Sequence, residues 1–261
     1  MRHVDGNDFK EKNGYEIGGR WYPRVTKILE VKSKPALQNF FREMGSFEAA
    51  EAVKEKSALE GTLVHETVQK IAIGEKVEAP KSIKPAVEAF REFYNERKIF
   101  FHPEYIEQQV WSGRGRYAGT VDALAEIDGK FGVLDIKTST GFYPEYNLQT
   151  AAYVQALQEY DVKLALKLPR QIETRWILRI DQNKVCALCG SKLREKGGRA
   201  KIRPNGKKTC EEDRHDWGPV EGVVEMREFP YYFNDMKAFN AAKTLWEWEN
   251  NYWLRQVGYL S

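Results

Sequence analysis

The stretch "GTVDALAEIDGKFGVLDIKTST", residues 119 to 140, constrains the fold more than any other part of the chain. Asp128-Gly129 predicts a two-residue hairpin loop, because both central positions of a type I′ turn need positive φ and Asp-Gly tolerates that best. With that loop Ile127 faces Lys130, and counting back along both strands brings Asp122 opposite Asp135. Side chains alternate faces along a strand, so Lys137 shares the face of Asp135 while Ile136 points the other way with Leu134, Val121 and Ala123. Directly opposed residues hold their Cβ atoms about 4.5 to 5.5 Å apart, where two ionised carboxylates repel. A cation between them removes the conflict. A hard divalent ion such as Mg²⁺ takes oxygen ligands and keeps several waters, which suits two carboxylates at a partly open sheet edge. Lys137, two residues further on the same face, is placed to orient a water on such an ion or help deprotonate it, the layout of metal-assisted hydrolysis. An Asp and a Lys two apart also occur on solvated strands. Leu124, Phe131 and Val133 on the same face speak against a solvated ribbon here.

The flanking sequence builds an α/β frame around this hairpin. "YEIGGRWYPRVTKILEV" reads as a short strand pair with Pro23 in the turn or just before a helix. Residues 36 to 73 lack proline and carry apolar residues at helical spacing, broken near Gly45-Ser46 and restarted where Ser57 and Glu60 match a capping box. A second helix fits 83 to 97. Strands are expected over 105 to 111, 117 to 127 and 130 to 138, then a helix from about Pro144 to Tyr160 with proline in its first turn. "TRWILRI" and "VEMREFP" read as two late strands around a polar, cysteine-bearing stretch, and "MKAFNAAKTLWEWENNYWL" as a closing helix.

Two further patterns converge on the carboxylates. His65 follows "GTLV" on the upstream helix, and a neutral imidazole can supply another metal ligand. Gln149 and Tyr153 are four apart in "NLQTAAY" and share a helix face, where an amide and a phenol can hold a phosphate or position the lysine. The joint order of "GTLVH" at 61 to 65, "GTVD" at 119 to 122, "DIK" at 135 to 137 and "QTAAY" at 149 to 153 resembles the PD-(D/E)XK nuclease superfamily, in its RecB-like and Cas4-like exonuclease branch. The "YPRVTKIL" opening is similar too, and the resemblance covers roughly residues 20 to 235. It implies a restriction-endonuclease-like core, a mixed central sheet flanked by helices. It also implies that His65, Asp122, Asp135 and the Ile136 carbonyl ligate Mg²⁺ or Mn²⁺. In that reading Lys137 activates water, and Gln149 with Tyr153 helps hold the DNA backbone and the catalytic groups.

The cysteines depart from the pattern. Relatives with an iron–sulfur cluster carry one cysteine before the core and three near the end, whereas here none precedes Cys186. Instead Cys186-x₂-Cys189 and Cys210-x₄-His215 offer three thiolates and an imidazole, a set suited to structural, tetrahedral Zn²⁺. Three free cysteines in a loop is the alternative, but a stretch this polar has little other means of ordering itself. Between the pairs, residues 190 to 209 hold eight basic residues against one acidic. Such a run is often only a solvated surface. Beside a nuclease site, Lys201, Arg203, Lys207 and Lys208 can grip phosphates, as can Arg114 and Arg116 in the loop before the Asp122 strand.

These readings converge on one nuclease domain over residues 1 to 261 with a zinc-binding insertion at 186 to 215. The 41 basic and 38 acidic side chains leave a net charge of +3, so attraction to a polyanion must come from local clusters. No stretch has the length of a membrane span and the first residues lack a signal-peptide pattern, so a cytoplasmic protein is expected. The expected activity is a metal-dependent DNA exonuclease of recombination, repair or phage replication. A structure-specific or nicking endonuclease, and a non-catalytic zinc-dependent nucleic-acid-binding module, are the alternatives. No helicase phosphate-binding loop occurs, so unwinding would need a separate helicase or recombination partner.

Overall fold

The computed structural model describes residues 3–32, 35–206, 210–211 and 214–261. Lys207 and Lys208 lie outside them. Helix α1 (Gly6–Asn13) leads into a hairpin of β1 (Gly14–Ile17) and β2 (Arg20–Pro23). Its turn is at Gly18-Gly19, and Pro23 ends β2 just before α2 (Val25–Ile28). Helix α3 (Pro35–Glu43) is followed by the long α4 (Phe47–Ala72) and by α5 (Lys84–Arg97). Ser46 caps α4 by accepting from the Ala49 N–H at 3.1 Å. The expected restart at Ser57 and Glu60 does not occur, because nothing in 47 to 72 breaks the helix once Ser46 has started it.

Strands β3 (Phe100–Phe101), β4 (Gln108–Ser112), β5 (Tyr117–Val121), β6 (Ala123–Ile127) and β7 (Lys130–Lys137) follow. The β6–β7 register is the expected one, Ile127 opposite Lys130 and Ala123 opposite Leu134, with Asp128 and Gly129 both at positive φ. The strand expected over 117 to 127 is instead two strands divided at Asp122. The first, β5, leaves the main sheet to pair with β4, so Val121 packs with Leu124 and Val133 rather than on the Ile136 side.

Helices α6 (Pro144–Leu157) and α7 (Tyr160–Leu166) form the crossover to β8 (Thr174–Cys186), which runs parallel to β7. The expected single helix to Tyr160 is interrupted at Glu159, whose backbone is extended and whose carboxylate accepts from the Ser112 hydroxyl and the Gly113 N–H. A hairpin of β9 (Lys192–Lys196) and β10 (Arg199–Arg203) occupies the cysteine-bearing stretch, before β11 (Trp217–Glu228), α8 (Phe233–Glu249) and α9 (Asn251–Gln256).

The result is an α/β fold with a mixed central sheet, in the order β10, β9, β8, β7, β6, β3, with β11 on the other edge of β8. One apolar layer joins Phe131 and Val133 to α6 and α8, through Tyr153, Leu157 and Phe239. The opposite layer joins Leu134 and Ile136 to α4 and α5, through Val64, Val68 and Phe90. Alternation along β7 thus commits one face to each layer, and Asp135 falls on the α6 side. Strand β8 outlasts β7. Past that end β9 takes its place, pairing Leu193 with Lys184 while β11 pairs Val220 with the same lysine. The β9–β10 hairpin is therefore set against the end of β7, where Lys137 lies.

Candidate active site and cysteine cluster

Asp122 sits at the break between β5 and β6, which places it between two acidic neighbours. Continuing the β6–β7 register puts it opposite Asp135, and continuing the β4–β5 register puts it opposite Glu107. The Glu107 N–H donates to the Asp122 carbonyl at 3.1 Å. Glu107 holds a left-handed backbone at φ 51°, and its carboxylate accepts from Gln69 on α4. This residue did not stand out in the sequence. The signal that could have found it is the β4–β5 register, which was hidden while 117 to 127 looked like one strand.

The structure resolves the repulsion between the aspartates with groups of the chain itself. Asp122 turns its Oδ2 to the Ile136 N–H at 2.6 Å. Asp135, fully buried, receives the Lys137 ammonium at 2.9 Å on Oδ1 and 2.8 Å on Oδ2. Oδ2 nevertheless has no donor in hydrogen-bond geometry. A buried carboxylate oxygen without an aligned donor is costly, and here only the charge of the nearby Lys137 ammonium offsets that cost. Burial pushes both aspartates up to about 6; Lys137 opposes the shift in each, and the charge of Asp122 adds to it at Asp135. Burial also works against the charge of Lys137, but the pull of Asp135 and Asp122 outweighs it, and its pKa is raised. Tyr146 on α6, a second residue that did not stand out, presents its ring to the ammonium at 5.1 Å.

His65 on α4 brings Nδ1 to 4.0 Å from Asp122 Oδ2. Burial, then the nearby Lys137, holds its pKa below the ordinary value. Gln149 donates to Asp135 Oδ1 at 3.3 Å and to the Tyr153 hydroxyl at 3.0 Å. Tyr153 is 2% exposed, which places it behind the carboxylates rather than on a surface open to a polymer. Two motif glycines are close-approach positions. A Cβ on Gly61 would meet Thr138 Oγ1 at 2.7 Å, and one on Gly119 would meet the Tyr153 ring at 2.4 Å. The first lets α4, carrying His65, press on the loop after Lys137, and the second lets Tyr153 lie under β5. A cleft of ≈ 590 Å³ opens beside these groups, lined by Gly61, His65, Glu66, Gln69, Glu107 and Thr138.

Cys186, Cys189, Cys210 and His215 form the second site. Their ligand atoms lie within 4.8 Å of one another, a cluster that can hold a metal ion. The turn is built by the Gly190 N–H donating to the Cys186 carbonyl at 2.8 Å and the Cys186 N–H to the Ser191 carbonyl at 2.9 Å. A side-chain hydrogen bond with Ser191 leads in lowering Cys189 to about 5, whereas burial and the neighbouring thiols push Cys210 up to about 11. His215 is raised by Cys186 and lies 3.5 Å from Cys189 Sγ through Nδ1. Its ring stacks on Trp217 at 4.4 Å.

The β9–β10 hairpin ties this cluster to the aspartates. Arg194 Nη2 and Lys196 Nζ donate to the Thr138 carbonyl at 3.0 and 2.7 Å, and Arg203 Nη1 to the Thr140 carbonyl at 2.8 Å. From β8, Arg179 donates to Ser139 at 3.2 Å. At the hairpin tip the Gly197 N–H donates to Glu60 on α4 at 2.9 Å. Arg114 and Arg116 are not brought to the cleft. Arg114 lines a separate cavity with Ser112, Glu159 and Lys243, and Arg116 bonds the Tyr259 carbonyl and covers its ring at 4.0 Å. No family model matches the chain, and no curated protein is significantly similar to it. No helix among the described residues is long and apolar enough to cross a membrane.

Proposed function

We propose that this chain is a metal-dependent nuclease with a restriction-endonuclease-like core, hydrolysing phosphodiester bonds of DNA from an end. One observation carries the reading: Asp122, held at a strand break between Glu107 and Asp135, lies 4.0 Å from His65, and Asp135 beside it is buried against Lys137 with one carboxylate oxygen that has no aligned donor. The donor set of carboxylate oxygens and imidazole fits Mg²⁺ or Mn²⁺, with Asp122, Asp135, His65 and the Ile136 carbonyl as the ligands implied by the PD-(D/E)XK resemblance. Such an ion supplies Lewis-acid stabilisation of charge on the phosphate and lowers the pKa of nearby water.

The chain's own groups supply the rest. Asp135 and Asp122 hold the Lys137 amine charged; were they shared with a divalent cation, their pull on it would weaken, the ammonium would release its proton to solvent, and the neutral amine could then take a proton from the attacking water. Gln149, fixed by Tyr153, holds the carboxylate of Asp135 in one orientation. At the cysteine cluster, three thiolates and an imidazole suit Zn²⁺ in a closed structural site. A helicase or recombination protein would be the partner if duplex must be opened.

The test is end-labelled linear and covalently closed circular DNA incubated with Mg²⁺, Mn²⁺ or chelator, using the wild type and Asp135→Asn. Loss of linear DNA from its ends, needing metal and Asp135, with circles spared, is the expected result. Rapid cutting of closed circles would make the protein an endonuclease. No cleavage with either metal would leave a nucleic-acid-binding module without catalysis.

A further inference from the structure

Next to the cleft lies a second cavity of ≈ 240 Å³, walled by the β9–β10 hairpin, α3, α4 and the loop after Lys137. Arg194, Lys196, Arg199, Lys201 and Arg203 all face it. Among the described residues two carboxylates pair directly with these five cations, and Asp181 and Glu60 also act on the charge of Lys196. Asp181 takes Arg194 at 2.8 Å but is shared with Arg179, and Glu43 takes both Arg199 and Lys201, the latter at 3.3 Å. Lys196 and Arg203 bond to backbone carbonyls, which satisfy donors without cancelling charge. Burial, followed by the like charge of Arg194, pushes Lys196 down to about 8, a cost that an anion in the cavity would relieve.

The cavity also has aromatic walls and a fixed position relative to the aspartates. Phe40 and Tyr143 line it, with Arg199 over the Phe40 ring at 5.1 Å and the Tyr143 hydroxyl bonded to Thr140 at 2.9 Å. Ser57 borders both this cavity and the His65 cleft, so the two are neighbours along α4. Thr140 is three residues past Lys137, at most about 11 Å of chain. A nucleotide of a stacked duplex strand rises about 3.4 Å and an unstacked one spans more, so this is a reach of at most about three nucleotides. Cations that track a backbone, beside aromatic faces that stack bases, are the chemistry of single-strand recognition.

We infer that this cavity binds the backbone of a single DNA strand, holding phosphates a few nucleotides from the bond cut at the Asp122–Asp135 site, with Tyr143 stacking on a base. The inference rests on the nuclease reading above and names its substrate as a single strand, or a duplex end opened into one. Glu43 then acts as an internal counterion that the strand displaces from Arg199 and Lys201.

The experiment is fluorescence anisotropy of a labelled oligothymidylate and a blunt duplex of equal length, titrated with the zinc-loaded full chain without added Mg²⁺ across a salt series. Lys201 and Arg203 are exposed, so Lys201→Ala/Arg203→Ala is expected to fold. For the single strand this variant should lose affinity and lower the salt slope by about 0.7 per phosphate contact removed. Tyr143→Leu should weaken binding about tenfold with the slope unchanged. Glu43→Gln should tighten it, which damage to the fold would not do. Unchanged affinity and slope in the double variant, or tighter binding of the duplex than of the oligothymidylate, would overturn the inference. If DNA is cut in Mg²⁺ but these variants bind normally, only the cavity is wrong. If the variants lose binding but no metal supports cutting, the nuclease reading fails and the cavity stands.

Discussion

The aspartate site and the cysteine cluster solve the same electrostatic problem in opposite ways. At the cysteines, the turn carrying Cys186 and Cys189 meets the later segment carrying Cys210 and His215, which brings three thiols and an imidazole within 4.8 Å of one another, with Cys189 pushed down and Cys210 up. At the aspartates, hard donors are opposed across a strand break but are quieted by the chain itself, Asp122 by the Ile136 N–H and Asp135 by Lys137. The first site can hold a metal ion. The second is neutralised by the chain's own groups, and under the proposed function it would admit a divalent ion that exchanges. Preassembly and readiness are therefore separate properties, and each follows from whether the ligands have partners of their own.

Substitutions can break that contrast, and the largest effect is expected at Asp135. Asp135→Asn keeps the shape and an acceptor for Lys137 but removes the charge that holds a divalent ion. DNA cleavage should fall by about 10³-fold or more with zinc content unchanged, measured by gel assay and elemental analysis. Lys137→Met comes next, at about 10²- to 10³-fold, falling in kcat rather than KM because the amine acts on water and not on binding. Retained activity in folded Lys137→Met protein would sink the assigned role.

Cys189→Ser tests the other side. It should lose about one zinc per chain while the aspartates still take Mn²⁺. Cleavage should drop only about tenfold, because the loosened hairpin no longer fixes the Thr138 and Thr140 carbonyls. Iron with visible absorbance in the purified protein would replace zinc as the assignment. Tyr153→Phe is the smallest change. It removes an acceptor for Gln149 worth about 1 kcal/mol, so activity should stay within about tenfold of wild type.

Much of the aspartate site was legible because a hairpin converts sequence into geometry. Asp128-Gly129 sets the register, and the register alone brings Asp122 to Asp135 and Lys137 onto the face of Gln149. The break at Asp122 was not legible, since "YAGTVDALAEI" has the uniform β pattern of one strand and only pairing with β4 divides it. With that break went Glu107 and the true side of Val121. The cation between the carboxylates was foreseen as a metal alone, while the structure shows Lys137 already paired with Asp135, a contact two residues along one strand.

The cysteine spacing foretold the cluster, but not the hairpin between its halves. Residues 192 to 203 are too polar to show a strand alternation, and they are ordered by pairing with β8 and by contacts to α4 and the 138 to 140 loop. The expectation for Arg116 went astray for a related reason. Its neighbour Tyr259 comes from the far end of the chain, and no local pattern announces that contact.

The central claim, a hard exchangeable ion at the aspartates beside a soft permanent one at the cysteines, is tested most directly by calorimetric titration of Mn²⁺ into dialysed protein. Both aspartates are raised to about 6 from an ordinary value near 3.8, so the folded chain holds their protons more tightly than the unfolded chain. Their contribution to stability is full below about pH 4 and lost as pH rises through about 6, and a divalent ion, which needs them ionised, offsets that loss only above this range. The account predicts Mn²⁺ binding at about pH 7.5 that weakens steeply towards pH 5 and is absent in Asp135→Asn, with about one zinc per chain throughout. Mn²⁺ binding that survives Asp135→Asn, or that displaces the zinc, would contradict it.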